Sequence, residues 1–203
     1  MAAIFRPYIV GIGGTPRAGS SAEKALKYAL SLAALQGAET ELFDGPSVHL
    51  PMYQPETQER STEARRLISA LRRADGVILS TPCYHGSVSG LLKNALDYIE
   101  DMARDAKPYL DGRAVGMIVC GYGWQSTAIT LTALRSIAHA LRGWPTPMGV
   151  AINSSPNLSS KTFDDAGAVV EETAARQIAI MVEQVVEFAC LRQARSTAAN
   201  QPA

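Results

Sequence analysis

Short apolar runs along this chain alternate with segments of helical period. Residues 8–13, YIVGIG, form a β-branched run closed by Gly13 and Gly14, the pattern of a buried strand. A helix follows, with apolar positions at Leu26, Ala29, Leu30, Ala33 and Ala34 and a stop at Gly37. Ser20 or Ser21 would cap it, with Lys24 standing where a capping box wants Glu. TELFDG (40–45) reads as a second strand, and a long polar connection containing Pro46, Pro51 and Pro55 comes next. STEARRLISALRRAD (61–75) is a helix, acidic at its start and basic at its end as the helix dipole prefers. GVILSTP (76–82) is a third strand, apolar on both faces and ended by Pro82, so the sheet should be covered on both sides. SGLLKNALDYIEDMA (89–103) is a helix, RAVGMIVCGYG (113–123) a fourth strand, STAITLTALRSIAHALRG (126–143) a helix and TPMGVAIN (146–153) a fifth strand. A last helix spans about 164–192, and residues 193–203 are expected to be a disordered tail.

Strands separated by helices pair in parallel through right-handed crossovers. Five such units predict a flavodoxin-like doubly wound α/β sheet of order 2-1-3-4-5, in a single domain over residues 1–192. At 203 residues and 47% hydrophobic, the chain can bury one sizeable core. A formal net charge of zero argues against a nucleic-acid or membrane-surface partner. Cys83, Cys120 and Cys190 show no CxxC spacing, so neither a disulfide framework nor a zinc site is indicated. The N-terminal apolar run is too short for a signal peptide, and the expected location is cytoplasmic.

In such sheets ligands bind beyond the carboxyl ends of the strands. Three loops there are rich in Gly, Ser or Thr: GGTPRAGSS (13–21), TPCYHGSVSG (81–90) and CGYGWQST (120–127). The first suits a phosphate. Its glycines let amides converge, Thr15, Ser20 and Ser21 offer hydroxyls, and Arg17 can hold two phosphate oxygens. An ordinary strand-to-helix turn with Arg17 in solvent fits the same residues equally well. A Walker loop is excluded because no Gly-Lys-Ser/Thr follows. A GxGxxG fingerprint fails because Pro16 stands at the third glycine. Asp44 lies well beyond the ~20 residues at which a ribose-binding acid is expected, and reads as a turn residue.

In the second loop, backbone donors from Cys83 to Gly86 would face the ligand, and Tyr84 would be either a stacking wall or a packing residue. A flavin ring needs a slot of this kind. His85 alone reads as a solvated loop residue, and Lys93 with Asp97 as a helix pair. Nothing beside Cys83 or Cys120 supplies a base or a partner thiol, so both read as contact residues.

The segments GGTPRAGSS and TPCYHGSVSGLLKNALDY, each after a predicted strand and in the right order, resemble the NAD(P)H-dependent FMN reductase family of flavodoxin-like proteins. The resemblance covers nearly the whole chain. It implies that Thr15, Arg17, Ser20 and Ser21 hold the FMN phosphate. Pro82, Cys83, Tyr84, His85 and Gly86 would line the ring and ribityl chain, and Cys120, Gly121, Tyr122 and Gly123 would close the third side. The implied activity is hydride transfer from NADPH or NADH to FMN, with no side chain acting as acid or base. Reduced flavin would then be supplied to a partner monooxygenase. An FMN-containing quinone, azo or chromate-type reductase is the alternative, and a flavodoxin-type carrier the third reading. Arg17 in the phosphate loop and the neutral charge count against the carrier. The departures are Ala22 and His85, where many relatives carry Asn, Cys83, where many carry Glu, and the third loop, CGYGWQST in place of the common Ser-x-Gly-Gly, where Trp124 and Gln125 could narrow the space over the flavin. The resemblance further implies a homodimer or homotetramer. The apolar last helix or the helix from Leu91 would meet the neighbour, and Tyr109 or Leu110 could reach the neighbour's site.

Overall fold

The computed structural model describes residues 5–57, 59–155, 161–164 and 166–199. Its strands are β1 (Tyr8–Gly13), β2 (Glu39–Phe43), β3 (Gly76–Tyr84), β4 (Ser87–Val88), β5 (Ala114–Gly121), β6 (Trp144–Pro145) and β7 (Val150–Asn153). Its α-helices are α1 (Ser21–Leu35), α2 (Thr62–Arg73), α3 (Gly90–Asp97), α4 (Trp124–Ala140) and α5 (Glu172–Ala199). The sheet runs β2-β1-β3-β5-β6, with β7 also on β5 and β4 antiparallel to β3. β6 and β7 are two pieces of one edge strand, so the expected doubly wound order holds with its fifth strand divided.

Period-two alternation sets the two faces. Along β1, Tyr8, Val10 and Ile12 pack toward α2, α3 and α4, whereas Ile9 faces α1 and α5. Both faces are covered, which is why β1 is apolar throughout. The apolar residues of α5 are explained within the chain: Ile178, Met181, Val182 and Val185 are fully buried beside α1 and the sheet.

Four local readings change. The edge strand is split because β5 advances four residues from Ala114 to Ile118 while its partner advances six, from Trp144 to Val150. Pro145, Pro147 and Gly149 crowd that stretch, and a proline offers no ladder donor. Arg135 of α4 donates to the freed Thr146 and Pro147 carbonyls at 2.9 and 3.0 Å. Second, Pro82 does not end β3: the strand continues to Tyr84 and turns back through His85-Gly86 into β4. Third, α5 starts at Glu172 and not near Asp164, because the Glu171 carboxylate accepts the Thr173 and Ala174 amides (2.9 and 2.7 Å) and fixes the start there. It then runs past Arg192 to Ala199, into the segment read as a tail; residues 200–203 lie outside the described residues. Fourth, Ser20 is the cap of α1, so Glu23 and not Lys24 occupies the capping-box position.

The LLKNALDY segment has a structural task. Asn94 is buried; its Nδ2 donates to the Leu50 and Pro51 carbonyls (3.2 and 2.9 Å), and its Oδ1 accepts the Tyr53 amide (2.8 Å). Tyr98 adds a hydroxyl bond to the Pro51 carbonyl (2.9 Å). Together they pin the long connection after β2 to α3. Lys93 pairs with Asp97 on the exposed side at 2.5 Å, the plain helix pair expected. Tyr109 and Leu110 precede β5, at the sheet edge where β5 begins, and Leu110 is fully buried. Leu110 therefore cannot reach a neighbour's site.

Candidate functional site

The carboxyl ends of β1, β3, β5 and β7 open onto one cavity of about 490 Å³. Thr15, Arg17, Ser20, Ser21, Pro82, Cys83, Tyr84, His85, Gly86, Cys120, Gly121 and Tyr122 all line it. Gly123 does not. It caps α4 at φ 102°, its amide held by Asn153 Oδ1 (3.1 Å) and its carbonyl accepting from Ser126 and Thr127.

The β1 loop is a cradle of donors. Thr15 is buried, and its Oγ1 accepts the Arg17 amide at 3.1 Å, leaving its own hydrogen to the cavity. Ser20 Oγ accepts the Glu23 amide at 3.2 Å. The Ser21 and Ala22 amides, in the first turn of α1, have no protein acceptor among the described residues. Uncommitted first-turn amides and the positive end of the helix dipole suit an anion. Arg17 is exposed at the rim and can swing onto that anion. Glu23 takes the Gly19 amide at 2.6 Å and pairs with Lys27, which shapes the loop from behind. Burial opposes its charge, yet the bonds from Lys27 and Gly19 prevail and hold its carboxyl below the usual range.

Gly14 lets the loop settle on β3 and α3. A Cβ there would stand 2.8 Å from Ser89 Oγ and 3.0 Å from Thr81 Oγ1. Both oxygens are committed: Ser89 Oγ caps α3 through the Leu92 amide (3.1 Å), and Thr81 Oγ1 accepts the Ser89 amide (3.0 Å). Ser80 of β3 donates to the Ala22 carbonyl at 2.7 Å, tying the phosphate-type cradle to the central strand.

The second wall is the β3–β4 hairpin. Both residues of its turn have positive φ, His85 at 52° and Gly86 at 78°, the signature of a type I′ turn. Neither turn amide is bonded to a protein acceptor among the described residues. Tyr84 is 58% exposed at the cavity mouth, so it is a wall and not a packing residue. Asn suits the His85 position better than His does. His85→Asn is expected to raise stability by up to about 0.5 kcal/mol, the usual range of a surface substitution, measured as a higher midpoint in urea unfolding; a lower midpoint would refute this account of the turn.

The third wall combines the ends of β5 and β7. Ser154 donates its amide to the Gly121 carbonyl at 2.8 Å. Ser154 and Ser126 also line the cavity; Ser126 belongs to the CGYGWQST loop without being singled out there, and Ser154 lies outside the three loops. The INSS stretch that ends β7 lies on the same sheet edge as the other three loops, and that edge rule could have found Ser154. Trp124 opens α4 and does not line the main cavity; it borders a neighbouring 250 Å³ recess beside Asn153. Cys120 packs on the α1–α5 face, whereas Cys83 packs on the other face, 3.4 Å from Ser126 Oγ. Burial pushes the Cys120 thiol far above its ordinary range, with nearby Cys83 adding to the shift, so it is no reactive thiolate.

This fold and edge define the class of flavodoxin-like proteins that hold a phosphorylated planar cofactor across strand ends. The model of the NADPH-dependent FMN reductase family matches residues 7–157, and the chain belongs to that family, whose cofactors are FMN and NAD(P)H. It is 39% identical over 101 residues to an NADPH azoreductase of Bacillus sp. (strain OY1-2), covering 49% of this chain and 54% of that one. The chain thus spans about half the length of that relative. It is 28% identical over 184 residues to an FMN-dependent NADPH-azoreductase of Staphylococcus haemolyticus, covering 87% of this chain and 92% of that one. Among solved structures, FerB, a flavoenzyme NAD(P)H:(acceptor) oxidoreductase from Paracoccus denitrificans, superposes with a TM-score of 0.74 at 21% identity, covering 92% and 98% of the two chains. That likeness shows the shared flavodoxin-like fold. Among the described residues, no helix is long and apolar enough to cross a membrane.

Proposed function

We propose that the protein is an NAD(P)H:FMN oxidoreductase that binds FMN in the 490 Å³ cavity. The observation that carries this is the meeting of an anion cradle with an open slot on one sheet edge. The donor set fits FMN: hydroxyls of Thr15 and Ser20, free amides of Ser21 and Ala22 and the Arg17 guanidinium suit its phosphate. The cavity volume lies in the range of cofactor sites. Bound FMN supplies the hydride chemistry between a nicotinamide and an acceptor. The chain's part is to hold and orient. The His85 and Gly86 amides lie in the lining without a protein acceptor among the described residues and would serve as donors to ring oxygens, and Tyr84 and Tyr122 flank the mouth, where a second planar molecule could stack.

A second reading concerns the acceptor. The relatives named as azoreductases, and exposed Tyr84 and Tyr122 at the mouth, favour an FMN that stays bound and reduces an aromatic acceptor. A steady-state assay with NADPH or NADH separates this from flavin release. A colourless protein that oxidises the nucleotide only when FMN is added supports supply of reduced flavin to a partner monooxygenase. A yellow protein that needs a quinone or dye and no added flavin supports the bound-FMN reductase. No oxidation of either nucleotide under both conditions would overturn both readings.

The proposed assembly is a homodimer that covers this mouth. Tyr84, Tyr122, Trp124 and Ile129 are 58, 71, 63 and 51% exposed, and the outer side of α4 carries no charge from Trp124 to Thr132. The turn of the hairpin lies beside Ile129, so patch and mouth are continuous. Patches of this kind mark contact surfaces. Trp124→Glu with Ile129→Glu should shift sedimentation from dimer to monomer; a fully active native monomer at micromolar concentration would refute the assembly.

A further inference from the structure

A second polar cavity, of about 350 Å³, lies at the opposite end of the sheet, where β3 and β5 begin. Its walls come from three places: the end of α2, the turn before β5, and the last turns of α5. Six cations line it, Arg72, Arg73, Lys107, Arg113, Arg192 and Arg195, against two carboxylates, Asp75 and Asp111. In a chain of zero formal net charge this is a marked concentration of one sign.

Part of that charge is already used. Arg72 pairs with Asp105 at 2.8 Å, and Arg73 lies 3.9 Å from Glu39. Asp75 accepts the Tyr8 amide at 2.9 Å. Arg113 is 4% exposed and makes no direct ion pair among the described residues, although Asp75, Asp111 and Asp105 lie near enough to act on its charge. Its guanidinium donates to four carbonyls: Ala74 at 2.8 Å, Arg72 at 3.0 Å, Asp111 at 3.2 Å and Tyr109 at 3.3 Å. Burial works against its charge and nearby Asp75, Asp111 and Asp105 offset that in part, but among the described residues no counter-ion sits on the guanidinium in the floor of the cavity. Lys107, Arg192 and Arg195 make no ion pair among the described residues. Arg192 is also positioned: its Nη2 lies 3.1 Å from where a Cβ of Gly112 would stand, so the glycine admits the guanidinium against the backbone.

We propose that this cavity binds a compact phosphorylated anion, a pyrophosphate group that is free or carried by a nucleotide. Arg192 and Arg195 reach it from the last turns of α5 and Lys107 from the turn before β5, and Arg113 supplies a fixed positive floor. Guanidinium forks match phosphate oxygens in pairs, and the low-dielectric floor strengthens their pull. The site is separate from the FMN cradle and does not depend on the function proposed above.

The test uses the whole protein saturated with FMN, so that the β1 loop is occupied, at low ionic strength. Calorimetric titration with pyrophosphate should show one site of micromolar affinity. Arg192→Ala with Arg195→Ala should weaken it at least tenfold, and Lys107→Ala severalfold, with FMN affinity unchanged because all three side chains are exposed and remote from the cradle. Tighter binding of ADP than of pyrophosphate would assign the nucleotide as source, and the reverse the free anion; both support the site. No heat with pyrophosphate or ADP at millimolar concentration, or equal affinity in the native and double-variant proteins, would overturn it.

Discussion

Arg17→Ala is expected to weaken FMN binding by about ten- to a hundredfold, the worth of a charge-assisted bond to a phosphate. Arg17 is exposed and, among the described residues, is bonded only through its own backbone amide, so the FMN-free chain should melt unchanged. Riboflavin, which has no phosphate, is the control: its affinity should be the same in both proteins. Fluorescence quenching of each flavin on titration gives both constants. An unchanged FMN constant, or an equal loss for riboflavin, would remove Arg17 from the phosphate site. The slope of log affinity against log salt should also become shallower in the variant, since one screened charge interaction is gone.

Gly14→Ala is expected to have the largest effect on stability. The new methyl meets Ser89 Oγ, Thr81 Oγ1 and Leu92 Cβ at 2.8, 3.0 and 3.2 Å, none of them the free end of a long side chain. To make room, the cap of α3 and its support from Thr81 must give way. Overpacking and a lost cap together cost about 2–4 kcal/mol, which for a chain of this size lowers Tm by roughly 5–15 °C. FMN should weaken in parallel, because the same shift moves the cradle. Differential scanning calorimetry decides it: a loss below 2 °C would mean that the loop relaxes freely and that close approach does not require the glycine.

The frame was legible because its signals are periodic. Doubly buried strands read as continuous apolar runs, helices as three-to-four spacing, and their alternation fixes parallel order. The departures lie where tertiary partners replace local signals. The β3–β4 hairpin hides because His85-Gly86 is an unusual version of a turn that commonly reads Asn-Gly, and because Pro82 imitates a strand end. The start of α5 depends on Glu171 reaching two amides, and the division of the edge strand on Arg135 reaching two carbonyls. Of the site, the cradle and the TPCYHG loop were readable as motifs, though not the hairpin that the loop forms. Ser126 and Ser154 reach the cavity through the stacking of β5, β7 and α4, which no spacing along the chain encodes. Asn94 was visible in the KNA segment, but its task became clear only with the connection it anchors.

The divided edge strand has a consequence for solubility. An intact outer strand presents a row of unpaired amides and carbonyls on which another chain can grow. Here Pro145 and Pro147 remove donors, the two extra residues throw the row out of step, and Arg135 occupies two of the carbonyls. At the other margin, Glu39 and Glu41 of β2 stand beside Arg73 and Arg66 and place charge along the rim. Both margins of the sheet thus resist templating by a neighbour, which leaves the helical faces as the surfaces through which copies of this chain can meet without polymerising.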